Sequence, residues 1–185
     1  MAFVEITNKP RPGAVVKTES GFTLIEMIIT LTVAAIVLAM AVPGFSNLIR
    51  TNRVAAQTNE LVSALNLARS EAVTRSMNVS VCTSDTGNDC TNTNWEEGWI
   101  VFTDAGTAGT VDGADQVLKV FQAVNSIAIT GSGFANANYL QYRATGRADS
   151  SGTFTICPDR SGVRGRKVNV STTGRIKVQL GGSCP

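Results

Sequence analysis

Residues 22–42 form an apolar run of twenty-one residues in which Glu26 is the only charge. A helix of that length spans about 30 Å, enough to cross the hydrocarbon core of a bilayer. The run begins directly after Gly21 and stops at Pro43 and Gly44. The segment before it is short and polar, and the chain beyond it reads as one soluble domain. Residues 1–21 carry Lys9, Arg11 and Lys17 against Glu5 and Glu19, a net charge of +1. They contain no apolar core, so they are not an ordinary secretory signal peptide. Their basic balance places this end on the cytoplasmic side and the rest across the membrane, although Arg50 and Arg53 lie beyond the other end.

Two residues in and beside the run are anomalous. An acid in hydrocarbon costs about 2.5–3.5 kcal/mol, so Glu26 needs a partner, and the run holds no basic side chain. Pro43 removes one helical hydrogen bond and crowds the preceding turn. Helical signals resume directly after it, which predicts a bend or local melting rather than a stop.

From residue 45 to about 76 the pattern is amphipathic. Val54, Leu61, Leu65, Ala68 and Ala72 recur mostly at three- and four-residue steps, the signature of one buried helix face. Arg50, Arg53, Gln57, Glu60 and Arg69 fall largely elsewhere. Arg69 and Glu71 read as surface or local scaffolding. After Met77 the period changes to two and β-formers dominate. Strands are expected over 78–83, 98–103, 116–124, 127–130, 139–143, 153–157, 166–171 and 175–180, separated by turn-rich polar stretches. The fold class is therefore α+β: one long helix, its second half packed on an antiparallel sheet domain, expected as two small sheets. The organisation is 1–21, a polar leader; 22–43, the membrane half of the helix; 44–76, its amphipathic half; and 77–185, a β-rich domain. The polar loops read as solvated connections.

The last two strands flank Thr172, Thr173 and Gly174. A three-residue hairpin loop ending in glycine is a favoured geometry. It sets Val170 opposite Ile176 and Val168 opposite Val178 on one face. The other face then carries Lys167, Asn169 and Ser171 beside Gln179, Lys177 and Arg175, and no acid. Such a face suits phosphate contacts or an acidic protein neighbour. The charges are also segregated along the chain. Residues 80–139 hold seven acids and one base, and residues 140–185 hold eight bases and two acids, net −6 and +6. That asymmetry points to oriented contacts.

Four cysteines, Cys82, Cys90, Cys157 and Cys184, in an exported domain favour disulfides. Three connectivities are possible. The favoured one joins Cys82 to Cys90, closing a polar loop, and Cys157 to Cys184, pinning the C-terminus. No histidine and no CxxC spacing occur, which disfavours a zinc site and excludes Ser-His or Cys-His catalysis. Glu96 and Glu97 read as the lead-in to a strand. Asp104, Asp112 and Asp115 read as turn aspartates more readily than calcium ligands, which need six to eight oxygens. No catalytic residue, cofactor or metal is expected.

The segment Gly21-Phe22-Thr23-Leu24-Ile25-Glu26, leading into an unbroken apolar run, resembles the processing site of type IV prepilins and type II secretion pseudopilins. Pro43 stands where those helices carry a proline. Residues 68–73 (ARSEAV) and 98–104 (GWIVFTD) are similar to the GspH/FimT branch of minor pilins and minor pseudopilins. The resemblance implies a prepilin peptidase that cuts between Gly21 and Phe22 and methylates the new amine. That amine, or a neighbouring subunit's, would be the partner Glu26 lacks. It implies a single-pass protein of the bacterial inner membrane with its C-terminal domain in the periplasm. The protein would then join other minor and major pilins in an assembled pilus and initiate or support its assembly. Two other functions fit the same resemblance. One is a minor pseudopilin of a type II secretion system. The other is a DNA-binding minor pilin for DNA uptake in natural transformation, with Lys167, Arg175 and Lys177 on the DNA. Gly174-Arg175-Ile176-Lys177 resembles the Gly-Arg-any-Arg motif of DNA-binding FimT pilins, with Lys177 in place of the last arginine. That exchange keeps the charge and loses the bidentate geometry.

Overall fold

The computed structural model describes residues 21–91, 93–123, 125–159, 164–182 and 184, with the side chains of 41–44 outside that set. It separates into two compact units, divided between Val42 and Pro43. The leader expected over residues 1–21 lies, apart from Gly21, outside the described residues. In the first unit the chain enters helix α1, which is assigned to Leu24–Arg75 and is long and apolar enough to cross a membrane. Every side chain from residue 22 to 40 is exposed on all sides of this helix. An apolar surface of that kind is stable only against lipid or neighbouring helices. The helical assignment runs through position 43 without a break, so the local melting expected there does not occur. Proline removes a single N–H donor, and the turns on either side keep their own bonds.

In the second unit α1 supplies the spine. Val54, Leu61, Leu65, Ala68 and Ala72 are all buried, the face that the spacing predicts. Thr58 and Ala64 complete it. The Thr58 hydroxyl is satisfied within the helix, donating to the Val54 carbonyl at 2.6 Å. At the C-terminus Ser76 adopts a left-handed conformation with φ 54°. Met77 N–H donates to the Ala72 carbonyl at 3.2 Å and Ser76 N–H to Val73 at 3.3 Å. These paired bonds satisfy the last carbonyls and turn the chain into the sheet domain.

Beyond α1 the described residues form eight strands: β1 Val79–Thr83, β2 Gly98–Thr103, β3 Val117–Gln122, β4 Ile127–Ser132, β5 Tyr139–Tyr142, β6 Gly152–Pro158, β7 Gly165–Val170 and β8 Ile176–Gly182. They form two antiparallel four-stranded sheets, ordered β3-β2-β1-β5 and β4-β6-β7-β8. The main core joins the α1 face to Val79, Val81, Trp99, Val101, Leu140 and Tyr142 of the first sheet. From the second sheet it takes Ile127, Ile129, Phe154, Ile156, Val168 and Val170. Trp95, in a 3-10 turn over Trp95–Glu97, packs edge-on to Phe154 at 4.8 Å and donates from its indole to the Ala137 carbonyl at 2.9 Å.

The two central strands of the first sheet are buried on both faces, because β1 and β2 have no exposed residue, whereas β3 at its edge is largely exposed. A second small core of Cys82, Ile100 and Phe102 lies on its far side, with Cys90, Val111 and Tyr139 packed on it. Cys90 and Val111 come from the polar stretches read as solvated connections. Those stretches instead fold back as a cover, because each carries one apolar anchor among its polar residues.

The aspartates hold that cover in place. The buried Asp104 carboxylate accepts from Gly109 N–H and from the Gln141 amide, both at 2.9 Å, and from the Ser80 hydroxyl. Asp112 accepts from Thr107 N–H at 3.0 Å, and Asp115 from Ala105 N–H at 2.9 Å and Asp112 N–H at 3.2 Å. These are turn-forming bonds, since short carboxylates reach nearby backbone donors. Glu96 does a related job at a sheet edge, accepting from Ile129 N–H of β4 at 3.3 Å.

Candidate functional site

The junction expected between Gly21 and Phe22 lies at the start of α1. Gly21 and Phe22 are exposed and precede the first helical residue. Thr23 is the helix cap: its hydroxyl accepts from Glu26 N–H at 3.3 Å, and its carbonyl accepts from Met27 N–H at 3.2 Å. Thr23-x-x-Glu26 has the spacing of a capping box. An acid in the first turn is also favoured by the positive end of the helix dipole. The spacing is visible in the sequence, yet the apolar run makes Glu26 stand out as a charge without a partner. In the single chain Glu26 is exposed and serves the helix start. Pro43 lies on α1 at the division between the two units.

The cysteines are bonded as Cys82–Cys90, with an S–S length of 2.02 Å, and Cys157–Cys184, with 2.08 Å. The first closes a loop at the end of β1. The second ties Cys184, two positions past the end of β8, back to Cys157 of β6, so the strand that carries Lys177 is held at both ends.

The β7–β8 hairpin has the register that its sequence dictates: Val168 opposite Val178, Val170 opposite Ile176, Lys167 opposite Gln179, and Asn169 opposite Lys177. Its turn is closed by Gly174 N–H donating to the Ser171 carbonyl at 2.8 Å and Ser171 N–H to Arg175 at 3.0 Å. Gly174 has φ 75°, the left-handed conformation this loop needs. Arg175 and Lys177 are exposed and line one shallow groove with Ser132, Thr153, Asn169 and Ser171. Lys167 lies on the same outer face, one pair further along the hairpin.

Arg69 is the residue whose role the sequence leaves unread. Its Nε donates to the Gly146 carbonyl at 3.0 Å and its Nη2 to the Thr173 carbonyl at 3.3 Å. One guanidinium on α1 therefore holds the β5–β6 connection and the basic hairpin together. Glu71 pairs instead with Arg75, at 2.6 Å. Near Arg69 lies Tyr142, whose burial raises its hydroxyl pKa far above the usual tyrosine range. The Arg69 charge opposes that shift and Asp149 adds to it.

The turn should be intolerant of change. A Cβ at Gly174 would sit 2.2 Å from the Gly146 carbonyl oxygen. Gly174→Ala is expected to cost about 1–3 kcal/mol from backbone strain, with the clash in addition. Thermal unfolding of the full chain in detergent checks this. An unchanged midpoint would mean that the hairpin is not docked on the β5–β6 connection.

The family described as type II transport protein GspH matches residues 57–174, and the prokaryotic N-terminal methylation motif matches residues 16–42. No curated protein matches the sequence significantly. Among solved structures the chain is similar to the type IV minor pilin FimU of Pseudomonas aeruginosa. In one crystal form the identity is 21%, the TM-score 0.53, and the likeness covers 70% of this chain and 90% of that one. In a second form the TM-score is 0.51, with 65% and 88% covered. It is also similar to the minor pseudopilin EpsH of the type 2 secretion system of Vibrio cholerae. There the identity is 12% and the TM-score 0.47, with 69% of this chain and 97% of that one covered.

Proposed function

The chain belongs to the GspH family of minor pilins and pseudopilins, structural subunits rather than enzymes, and on that premise we propose that it is a minor pilin of a type IV pilus. It is made as a precursor with a leader over residues 1–21. Residues 22–43 anchor it in the bacterial inner membrane as a single pass. The amphipathic helix 44–76 and the β-rich domain 77–185 lie in the periplasm. Prepilin peptidase cuts between Gly21 and Phe22, and the mature subunit then joins other minor and major pilins to initiate or support filament assembly.

One observation carries this reading. The methylation motif ends in a helix that is capped at Thr23 and apolar on every side, beginning two residues after the cleavage position. Such a surface is matched by lipid before assembly and by other helices after it. In a filament core Glu26 would face low dielectric, where a methylated Phe22 amine is its natural partner. Pro43 marks where this apolar segment passes into the half that packs on the sheets.

Glu26→Ala should leave membrane insertion intact, because apolar length is unchanged, and should reduce filament incorporation strongly. Shearing cells and blotting both the membrane and the sheared surface fraction measures the two steps separately. Normal incorporation of the alanine variant would contradict the role of Glu26. Absence of the wild-type chain from sheared surface filaments would favour a secretion pseudopilin. A second reading, duplex binding during DNA uptake, is favoured by the acid-free face that bears Lys167, Arg175 and Lys177.

A further inference from the structure

The outer face of the second sheet is a continuous polar ladder. Across the four strands one row runs Ser132, Thr153, Asn169, Lys177 and the next runs Thr130, Thr155, Lys167, Gln179. Neither row contains an acid. The first is internally organised, with Thr153 bonding Asn169 at 2.7 Å and Ser132 donating to the Thr153 carbonyl at 3.2 Å. Its open end is the groove lined by Arg175 and Lys177. Three cations among hydroxyls and amides suit a few carboxylates and peptide carbonyls. A nucleic-acid single strand is matched less well, since among the described residues lining this groove no aromatic side chain offers a stacking platform, and lysine, unlike arginine, cannot grip a phosphate bidentately.

The same chain carries a segment of the complementary kind. Residues 84–90 form a loop closed by the Cys82–Cys90 disulfide. It is held further by Gly87 N–H donating to the Ser84 hydroxyl at 2.9 Å, Asp85 N–H to the Thr91 hydroxyl at 3.1 Å, and Thr91 N–H to the Thr83 carbonyl at 3.1 Å. Asp85 and Asp89 are exposed on it. Among the described residues no ion pair joins these acids to Lys167, Arg175 or Lys177 within the chain. A loop already ordered loses little entropy when it binds.

We infer that the outer face of the β4-β6-β7-β8 sheet is a docking site for the disulfide-closed acidic loop of a second copy of this chain. Loop and face are different surfaces, so the contact is heterologous, running head to tail. A contact of that kind leaves one loop and one face of each pair free for a further subunit. The inference rests on the filament-subunit reading and adds the surfaces that meet.

The test uses full-length protein in detergent, prepared as equal parts unlabelled and nitrogen-15-labelled copies. A carbodiimide, which joins carboxylates to amines with no spacer, is followed by peptide mapping. The expected product links Asp85 or Asp89 of one isotopic form to Lys167 or Lys177 of the other. Arg175→Glu, which removes neither linked group, should lower the yield about tenfold or more through like-charge repulsion. Sedimentation supplies a second reading. Asp85→Lys with Asp89→Lys, and separately Arg175→Glu with Lys177→Glu, should each abolish association, and mixing the two variants should restore it. Links only within single copies, or association unchanged by both charge reversals, would overturn the proposal. So would non-associating copies whose face binds duplex DNA, which would make it a nucleic-acid surface. The filament reading fails on a different observation, the absence of cleavage at Gly21 or of the chain from sheared filaments.

Discussion

Protein isolated from its native host should begin at Phe22, lighter than the full chain by residues 1–21 and heavier by one methyl group, whereas Gly21→Val should remain at full length in the membrane. The expected effect is near-complete loss of processing. It can be read cleanly because the substitution has no structural cost of its own. Gly21 is exposed, and a Cβ placed there meets nothing within 4 Å. Thr23 would still cap α1 and the apolar run would still insert. A failure of the valine variant to mature would therefore lie in recognition by the peptidase. Without cleavage there would be no free Phe22 amine, Glu26 would lack the cationic partner proposed for it, and the variant should be missing from sheared filaments. Intact-mass analysis of both proteins decides the matter. A mature N-terminus at any other residue, or normal maturation of the variant, would remove the junction assigned to Gly21 and Phe22.

The largest stability effect is expected at Phe154. This ring is fully buried on β6, with Trp95 edge-on at 4.8 Å and Phe134 tilted against it at 4.6 Å. It joins the second sheet to the 3-10 turn before β2, so its loss opens a cavity where the two sheets share one core. Phe154→Ala should cost about 3–5 kcal/mol. Against a typical total of about 5–15 kcal/mol, that is a large share of what keeps the domain folded. The unfolding midpoint should fall by on the order of 10 °C. The emission of Trp95 should change with it, since its neighbouring ring is gone. A midpoint within a degree or two of the parent would show that the aromatic cluster does not hold the sheets together.

The elements were legible because their signals are local. The three- and four-residue spacing of Val54, Leu61, Leu65, Ala68 and Ala72 predicted a helix face, and those five side chains are buried. Alternation located all eight strands, with ends that differ by up to two residues. The pairing of β7 with β8 followed from a glycine in the third position of a short turn, since a tight loop dictates register by its own geometry.

What could not be read depends on residues far apart in the chain. Nothing near Arg69 indicates that its guanidinium reaches carbonyls 77 and 104 positions away. Nothing in the polar stretches around Cys90 and Val111 says that they cover a second apolar face, because each has a single anchor and no period. The acid-free ladder also exists only once β4, β6, β7 and β8 are set side by side, since Ser132, Thr153, Asn169 and Lys177 come from four separate strands. By itself the sequence determined a membrane-length helix with a processing motif at its start, an amphipathic continuation, eight strands and one hairpin register, all set by interactions within a few residues. Strand order, loop cover and the clamp that aims the basic hairpin were decided by tertiary packing, because distant segments meet only when they close a common core.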